Sequence, residues 1–220
     1  MKLQKNDTLL MIGDSITDFG RARPVGEGLH AGVGTGYPMF VRAFLETSYP
    51  ELNIHVINMG TSGDNVRDLR ARWQTDVFDQ APDWVSVMIG VNDVWRQFDQ
   101  PGIAKSHVYL PEYAETLDAL VKETLPRVKG MVLMTPYYME PNAEDTMRAR
   151  MDEYGAAVRD IAGKYGTLFV DTQARFNALL RHMHSTNIAW DRVHPNPTGH
   201  MLLARALLDA LDFDFTKSWQ

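Results

Sequence analysis

Thr8-Leu9-Leu10-Met11-Ile12-Gly13, running directly into Asp14-Ser15-Ile16-Thr17, is the stretch on which the fold turns. A short, almost unbroken apolar run is what a strand looks like when both of its faces are covered, as in a parallel sheet with helices on either side. It stops at a glycine and a small polar turn. Four more runs repeat the pattern: Ile54–Gly60, Trp84–Gly90, Met131–Pro136 and Leu168–Thr172. Between them lie stretches with apolar residues at helical spacing. These are Tyr37–Ser48, Val66–Asp79, Glu112–Val128, Thr146–Tyr165 and Pro197–Leu211, the last opened by Asn196 as N-cap and Pro197 in the first turn. The alternation runs through the whole chain without a linker or an internal repeat. It predicts one α/β domain over residues 1–220, a three-layer doubly wound sheet of about five parallel strands.

Composition narrows the function. The chain has 220 residues, 45% hydrophobic and 23% charged, which is ordinary for a soluble globular protein. Lys plus Arg number 22 against 28 Asp plus Glu, a net charge of −6, so the chain repels polyanions overall and no nucleic-acid or membrane partner is expected. The absence of cysteine removes disulfides, thiol nucleophiles and zinc ribbons. At the N-terminus the apolar run Leu9–Ile12 is shorter than the roughly 7–15 residues of a signal h-region, and the reading is cytoplasmic. No run approaches the roughly 20 apolar residues of a membrane span.

In open α/β sheets the site lies beyond the carboxyl ends of the strands. Gly13-Asp14-Ser15 follows the first run, Gly60-Thr61-Ser62-Gly63-Asp64-Asn65 the second and Gly90-Val91-Asn92-Asp93 the third; a late loop carries Asp191-Arg192-Val193-His194. Their chemistry is complementary. A serine hydroxyl is a weak nucleophile until a base takes its proton, His194 is a candidate base, and Asp191 can orient its ring. The backbone N–H groups of Ser15 and Gly63 and the side-chain amide of Asn92 can converge on one oxygen as an oxyanion hole.

These four blocks, in this order and spacing, resemble those of the SGNH (GDSL) hydrolases over nearly the full chain. The resemblance implies a flavodoxin-like sheet, a catalytic triad of Ser15, His194 and Asp191, an oxyanion hole of Ser15, Gly63 and Asn92, and no metal or cofactor. The flanking stretches IGDSITDFGRARP, GTGY, MIGVNDVWRQFD and AWDRVHPNPTGH resemble the intracellular acetylxylan esterases of this family. That implies short acyl esters on xylose-based sugars as substrates and a homo-oligomeric assembly.

Other readings attach to the same residues. Ser62 is a rival nucleophile, read instead as a loop residue bonding its own backbone. Asp14, Asp93 and Asp64 are read as backbone-bonding residues that shape their loops. Gly26–Gly36 superficially resembles a dinucleotide fingerprint, but it lies too far from the first strand and is read as a mobile active-site loop. His182 and His184 diverge on a helix and are read as surface residues rather than metal ligands; His200 is read as structural. Trp95 and Trp190, placed on loops, are either core or sugar-stacking residues. Arg21, Arg23 and Arg96 either clamp sugar hydroxyls or pair with Asp18 and Glu27. Of these, Trp95, Trp190 and Arg96 are taken as substrate-binding residues. The functional rivals are a lipid or thioester hydrolase, a non-catalytic carbohydrate-binding protein on the same scaffold, and a flavin or nucleotide protein.

Overall fold

The computed structural model describes residues 1–217. Five strands, β1 (Thr8–Gly13), β2 (His55–Asn58), β3 (Trp84–Met88), β4 (Gly130–Met134) and β5 (Leu168–Val170), form one parallel sheet in the order β2-β1-β3-β4-β5. This is the flavodoxin-like order, as expected. The helices are α1 (Ser15–Asp18), α2 (Tyr37–Ser48), α3 (Val66–Trp73), α4 (Val91–Asp99), α5 (Leu110–Thr124), α6 (Thr146–Tyr165), α7 (Thr172–Leu180) and α8 (Pro197–Ala210). On one face α2 packs on α8; on the other α3, α5 and α6 pack side by side. Right-handed crossovers that change direction at β1 place helices on opposite faces in this way. The strands are apolar on both faces because both are covered. Leu9, Leu10, Met11 and Ile12 are all fully buried.

Three helical expectations need revision. The periodicity over Val66–Asp79 is real, but α3 stops at Trp73 and Gln74–Phe78 is wound as a π-turn. There the Thr75 hydroxyl donates to the Arg72 carbonyl at 3.0 Å, competing with the backbone ladder. The helix expected over Glu112–Val128 starts at Leu110 and tightens into a 3₁₀ turn from Leu125, because Pro126 has no N–H to continue the ladder. Residues 91–99, read as a loop, form α4, so Trp95 is helical. Asn92 and Asp93 look like turn residues, but the Asp93 carboxyl also reaches beyond its own turn. Its Oδ1 accepts the N–H of Val66, the first residue of α3, at 3.0 Å.

Gly13, Met88, Met134 and Val170 are paired in one row across the sheet, so four strands end level with one another. The loops that follow them open on one edge. The chain reverses its direction of travel between β1 and β3, which is where a crevice opens in a sheet of this order.

Candidate active site

The site starts at the turn after β1. A Cβ on Gly13 would lie 2.2 Å from the Met88 carbonyl oxygen and 2.6 Å from Thr17 Oγ1, so only glycine lets β1 end against β3. Asp14 caps α1, its Oδ1 accepting the Ile16 N–H at 3.0 Å, and Ser15 becomes the first helical residue. Ser15 Oγ lies 2.8 Å from His194 Nε2. His194 Nδ1 lies 2.6 Å from Asp191 Oδ2. With the Nδ1 proton donated to the carboxylate, Nε2 is left to accept the Ser15 hydroxyl proton.

Asp191 is held in turn by its own loop. Its Oδ1 accepts the N–H groups of Val193 at 2.9 Å and His194 at 2.8 Å. Burial raises its carboxyl, but the hydrogen bonds from the His194 ring and from the two backbone groups outweigh that and hold it below the usual carboxylate range. Residues after β4 brace the loop. Tyr137 donates its hydroxyl to the Val193 carbonyl at 3.0 Å, the Met139 N–H donates to the Arg192 carbonyl at 2.9 Å, and Glu140 pairs with Arg192 at 2.5 Å.

Ser15, Phe19, Ser62, Gly63, Asn92, Arg96 and His194 line a cleft of about 410 Å³. Gly63 has φ +89°, a left-handed conformation that glycine adopts without strain, and a Cβ there would meet nothing within 4 Å. The Asn92 side chain is 2% exposed; its Nδ2 donates to the Asp64 carbonyl at 2.9 Å and has a second hydrogen to offer. The four blocks thus meet, as their chemistry requires.

Several neighbours take other roles than those expected. Ser62 does not bond its own backbone: its Oγ donates to Asp18 Oδ2 at 2.7 Å, and its N–H to the same oxygen at 3.0 Å. Burial raises the Asp18 carboxyl, but Arg23 and Ser62 outweigh it and hold it below the usual range, which makes Asp18 a weak base for Ser62. Asp64 forms an ion pair with Arg72 at 2.6 Å rather than a local loop bond. Arg21 is buried among carbonyls, donating to Gly60 at 2.6 Å and Pro24 at 2.8 Å, so it is a structural residue and no sugar clamp. Glu27 pairs with His55. The Gly26–Gly36 loop is stitched to the fold through Gly26 and Asn58, and through the Asn58 amide donating to Val33 O at 2.8 Å; none of its residues lines the cleft.

His182 and His184 are exposed beyond the end of α7, and His200 is buried, accepting the Tyr37 N–H at 3.0 Å on Nδ1. Burial, and then the neighbouring His194, push His200 down to about 4, so it stays neutral and structural. Trp95 places its ring 5.9 Å from the His194 ring, and Trp190 is 84% exposed beside Asp191. Sequence reasoning missed Phe19, Arg72, Tyr137 and Glu140. Only Phe19, four residues after Ser15, carried a positional signal.

A model of the GDSL-like lipase/acylhydrolase family matches residues 11–202. The chain belongs to that family. It is similar to an acetylxylan esterase from Geobacillus stearothermophilus, 56% identical over 218 residues, which cover 99% of this chain and all of that one. The crystal structure of an acetylxylan esterase from the same organism superposes with a TM-score of 0.98 at 55% identity over the full length of both chains. An α/β hydrolase from the metagenome of Lake Arreo superposes with a TM-score of 0.95 at 51% identity, over 96% of this chain and 98% of its own. Three further structures of the Geobacillus enzyme are catalytic mutants, with alanine in place of a serine, an aspartate or a histidine whose numbers are those of Ser15, Asp191 and His194 here.

Two acidic residues of this GDSL-type site are fully buried. Burial pushes Asp14 and Asp93 up to about 7, and Asp93 Oδ2 has no partner among the described residues. An acid with a folded pKa above its unfolded one favours folding most below the unfolded value. That advantage is lost as pH rises through the folded value. For Asp93 the window runs from 3.8 to about 7. Asp93→Asn keeps an oxygen for the Val66 N–H and cannot ionise. Its melting temperature relative to wild type should therefore rise steadily across that window. A difference that stays flat with pH would show that Asp93 is already ionised in the folded protein.

Proposed function

We propose that the protein is a serine esterase that removes acetyl groups from xylo-oligosaccharides or related sugars through an acyl-enzyme. The observation that carries this reading is the continuous chain from Ser15 Oγ to His194 at 2.8 Å and from His194 to Asp191 at 2.6 Å, opening on the cleft. Ser15 Oγ attacks the ester carbonyl carbon as its proton passes to His194 Nε2. The carbonyl oxygen gathers charge and is held by the Ser15 and Gly63 N–H groups and by Asn92. Collapse breaks the bond to the sugar oxygen, which takes the proton from His194. Water then repeats the sequence on the acetyl-serine, releasing acetate and restoring Ser15. Asp191 keeps its negative charge throughout and stabilises the imidazolium.

The cleft favours a short acyl group over a lipid or long-chain thioester. Phe19 is the one large apolar side chain in a lining otherwise made of polar residues and glycine. Trp95 and Trp190 offer rings to a sugar face. The names of the relatives above support the same substrate class. A single catalytic domain, a cytoplasmic location and a homo-oligomeric assembly belong to this reading too, as does the lack of nucleic-acid or membrane partners. No described helix is long and apolar enough to cross a membrane.

A hydrolysis panel tests it. Acetyl esters should turn over faster than octanoyl esters, with acetylated xylo-oligosaccharides among the better substrates. Dominance of long-chain esters would move the assignment to lipid or thioester hydrolysis. Asn92→Ala should lower kcat by roughly 10²–10³ with a smaller change in KM, because its bond forms fully only as charge develops. An effect confined to KM would make Asn92 a substrate-binding residue only.

A further inference from the structure

The Asn92 amide is gripped at both ends. Its nitrogen faces the Asp64 carbonyl at 2.9 Å, and its Oδ1 accepts from Arg96 Nη2 at 3.1 Å. Asn92 and Arg96 are one turn apart on α4, so they share a helix face. Asp99, three residues further on, pairs with the other end of the Arg96 guanidinium, and the Trp95 ring lies 5.0 Å from Arg96 Cζ. A carboxamide is nearly symmetric in shape, so its partners decide which end points where. Here a donor meets its oxygen and an acceptor meets its nitrogen. Turned over, the buried amide would set N–H against guanidinium and oxygen against carbonyl, two repulsive contacts with little water to relieve them.

We infer that Arg96 is a positioning residue for the oxyanion hole. It acts through Asn92 rather than by clamping a sugar, fixing the amide so that the second Nδ2 hydrogen stays on the cleft. The positive charge of the guanidinium held against Oδ1 also polarises the amide and strengthens the N–H as a donor. Preorganisation of this kind matters in the transition state, where the oxygen carries charge, and little in the ground state. The inference rests on the esterase reading above but not on the sugar.

The test is a double-mutant cycle read with two substrates. Para-nitrophenyl acetate has no sugar; an acetylated xylo-oligosaccharide has one. On para-nitrophenyl acetate, Arg96→Met should lower kcat by about tenfold, the scale of one hydrogen bond to a charged group, and leave KM nearly unchanged. In the Asn92→Ala background the same substitution should cost almost nothing, because the group it positions is gone. Circular dichroism establishes that each variant is folded. Should Arg96→Met not fold, Arg96→Lys enters the same cycle; it keeps a charge for Asp99 but lacks the planar fork that serves two partners. Full additivity with Asn92→Ala overturns the inference. So does a loss confined to KM for the oligosaccharide, which would make Arg96 a sugar clamp. If wild type hydrolyses para-nitrophenyl acetate but no sugar ester, the substrate assignment falls while the cycle still decides the role of Arg96.

Discussion

Ser15→Ala should lower kcat for acetyl ester hydrolysis by roughly 10⁴–10⁶ and abolish covalent labelling by an organophosphate. The expectation follows from where the hydroxyl lies. Ser15 Oγ lies on the cleft, 2.8 Å from an imidazole nitrogen free to accept its proton. Ser62 lines the same cleft, but its hydroxyl points to Asp18, whose negative charge Arg23 stabilises. A carboxylate in that state takes a proton poorly, so Ser62 has no effective base. Alanine at 15 removes the attacking oxygen without filling the cleft, and the oxyanion donors remain in place. Residual turnover should reflect binding and charge stabilisation alone. The comparison that decides is labelling of Ser15→Ala against Ser62→Ala. A labelled Ser15→Ala beside an unlabelled Ser62→Ala would reverse the assignment.

Asp191→Asn should cost roughly 10⁴ in kcat while leaving the fold intact. The geometry gives the reason. Asp191 Oδ1 accepts two backbone N–H groups, so an asparagine must keep its oxygen there. Its NH₂ is then forced onto the Oδ2 side, facing His194 Nδ1. Nδ1 becomes an acceptor, the neutral ring carries its proton on Nε2, and Nε2 can no longer take the proton of Ser15. The loss should appear in kcat and kcat/KM together, since substrate contacts do not change. His194→Ala should lose at least as much. The measurement is kcat and kcat/KM for the three proteins. If His194→Ala keeps wild-type rates, His194 is not the base.

Much of this was legible in the chain. The run Thr8–Gly13 is a strand with those bounds, and Tyr37–Ser48 and Thr146–Tyr165 are helices with theirs, because apolar spacing and caps such as Asp145 are local signals. The Asp191-x-x-His194 pair was legible for the same reason: both partners sit in one short loop. Helix α4 was not, because Gly90, Asn92 and Asp93 carry turn chemistry that tertiary bonds redirect.

Sequence alone therefore determined the alternation of strands and helices, the sheet class and the four polar blocks at one edge, since each depends on residues a few positions apart. Tertiary structure decided what each polar side chain bonds to. Asp93 accepts the first N–H of a helix that begins 27 residues earlier in the chain, and the Ser62 hydroxyl is occupied by Asp18, 44 residues away. A hydroxyl or carboxylate has the same capacity in any loop, and only the packing of distant segments brings one partner within reach and excludes the rest. The same holds for Arg21, Arg23 and Arg96. Their charge was visible in the sequence, but the fold buries the first among carbonyls, pairs the second with Asp18 and sets the third against the amide of Asn92.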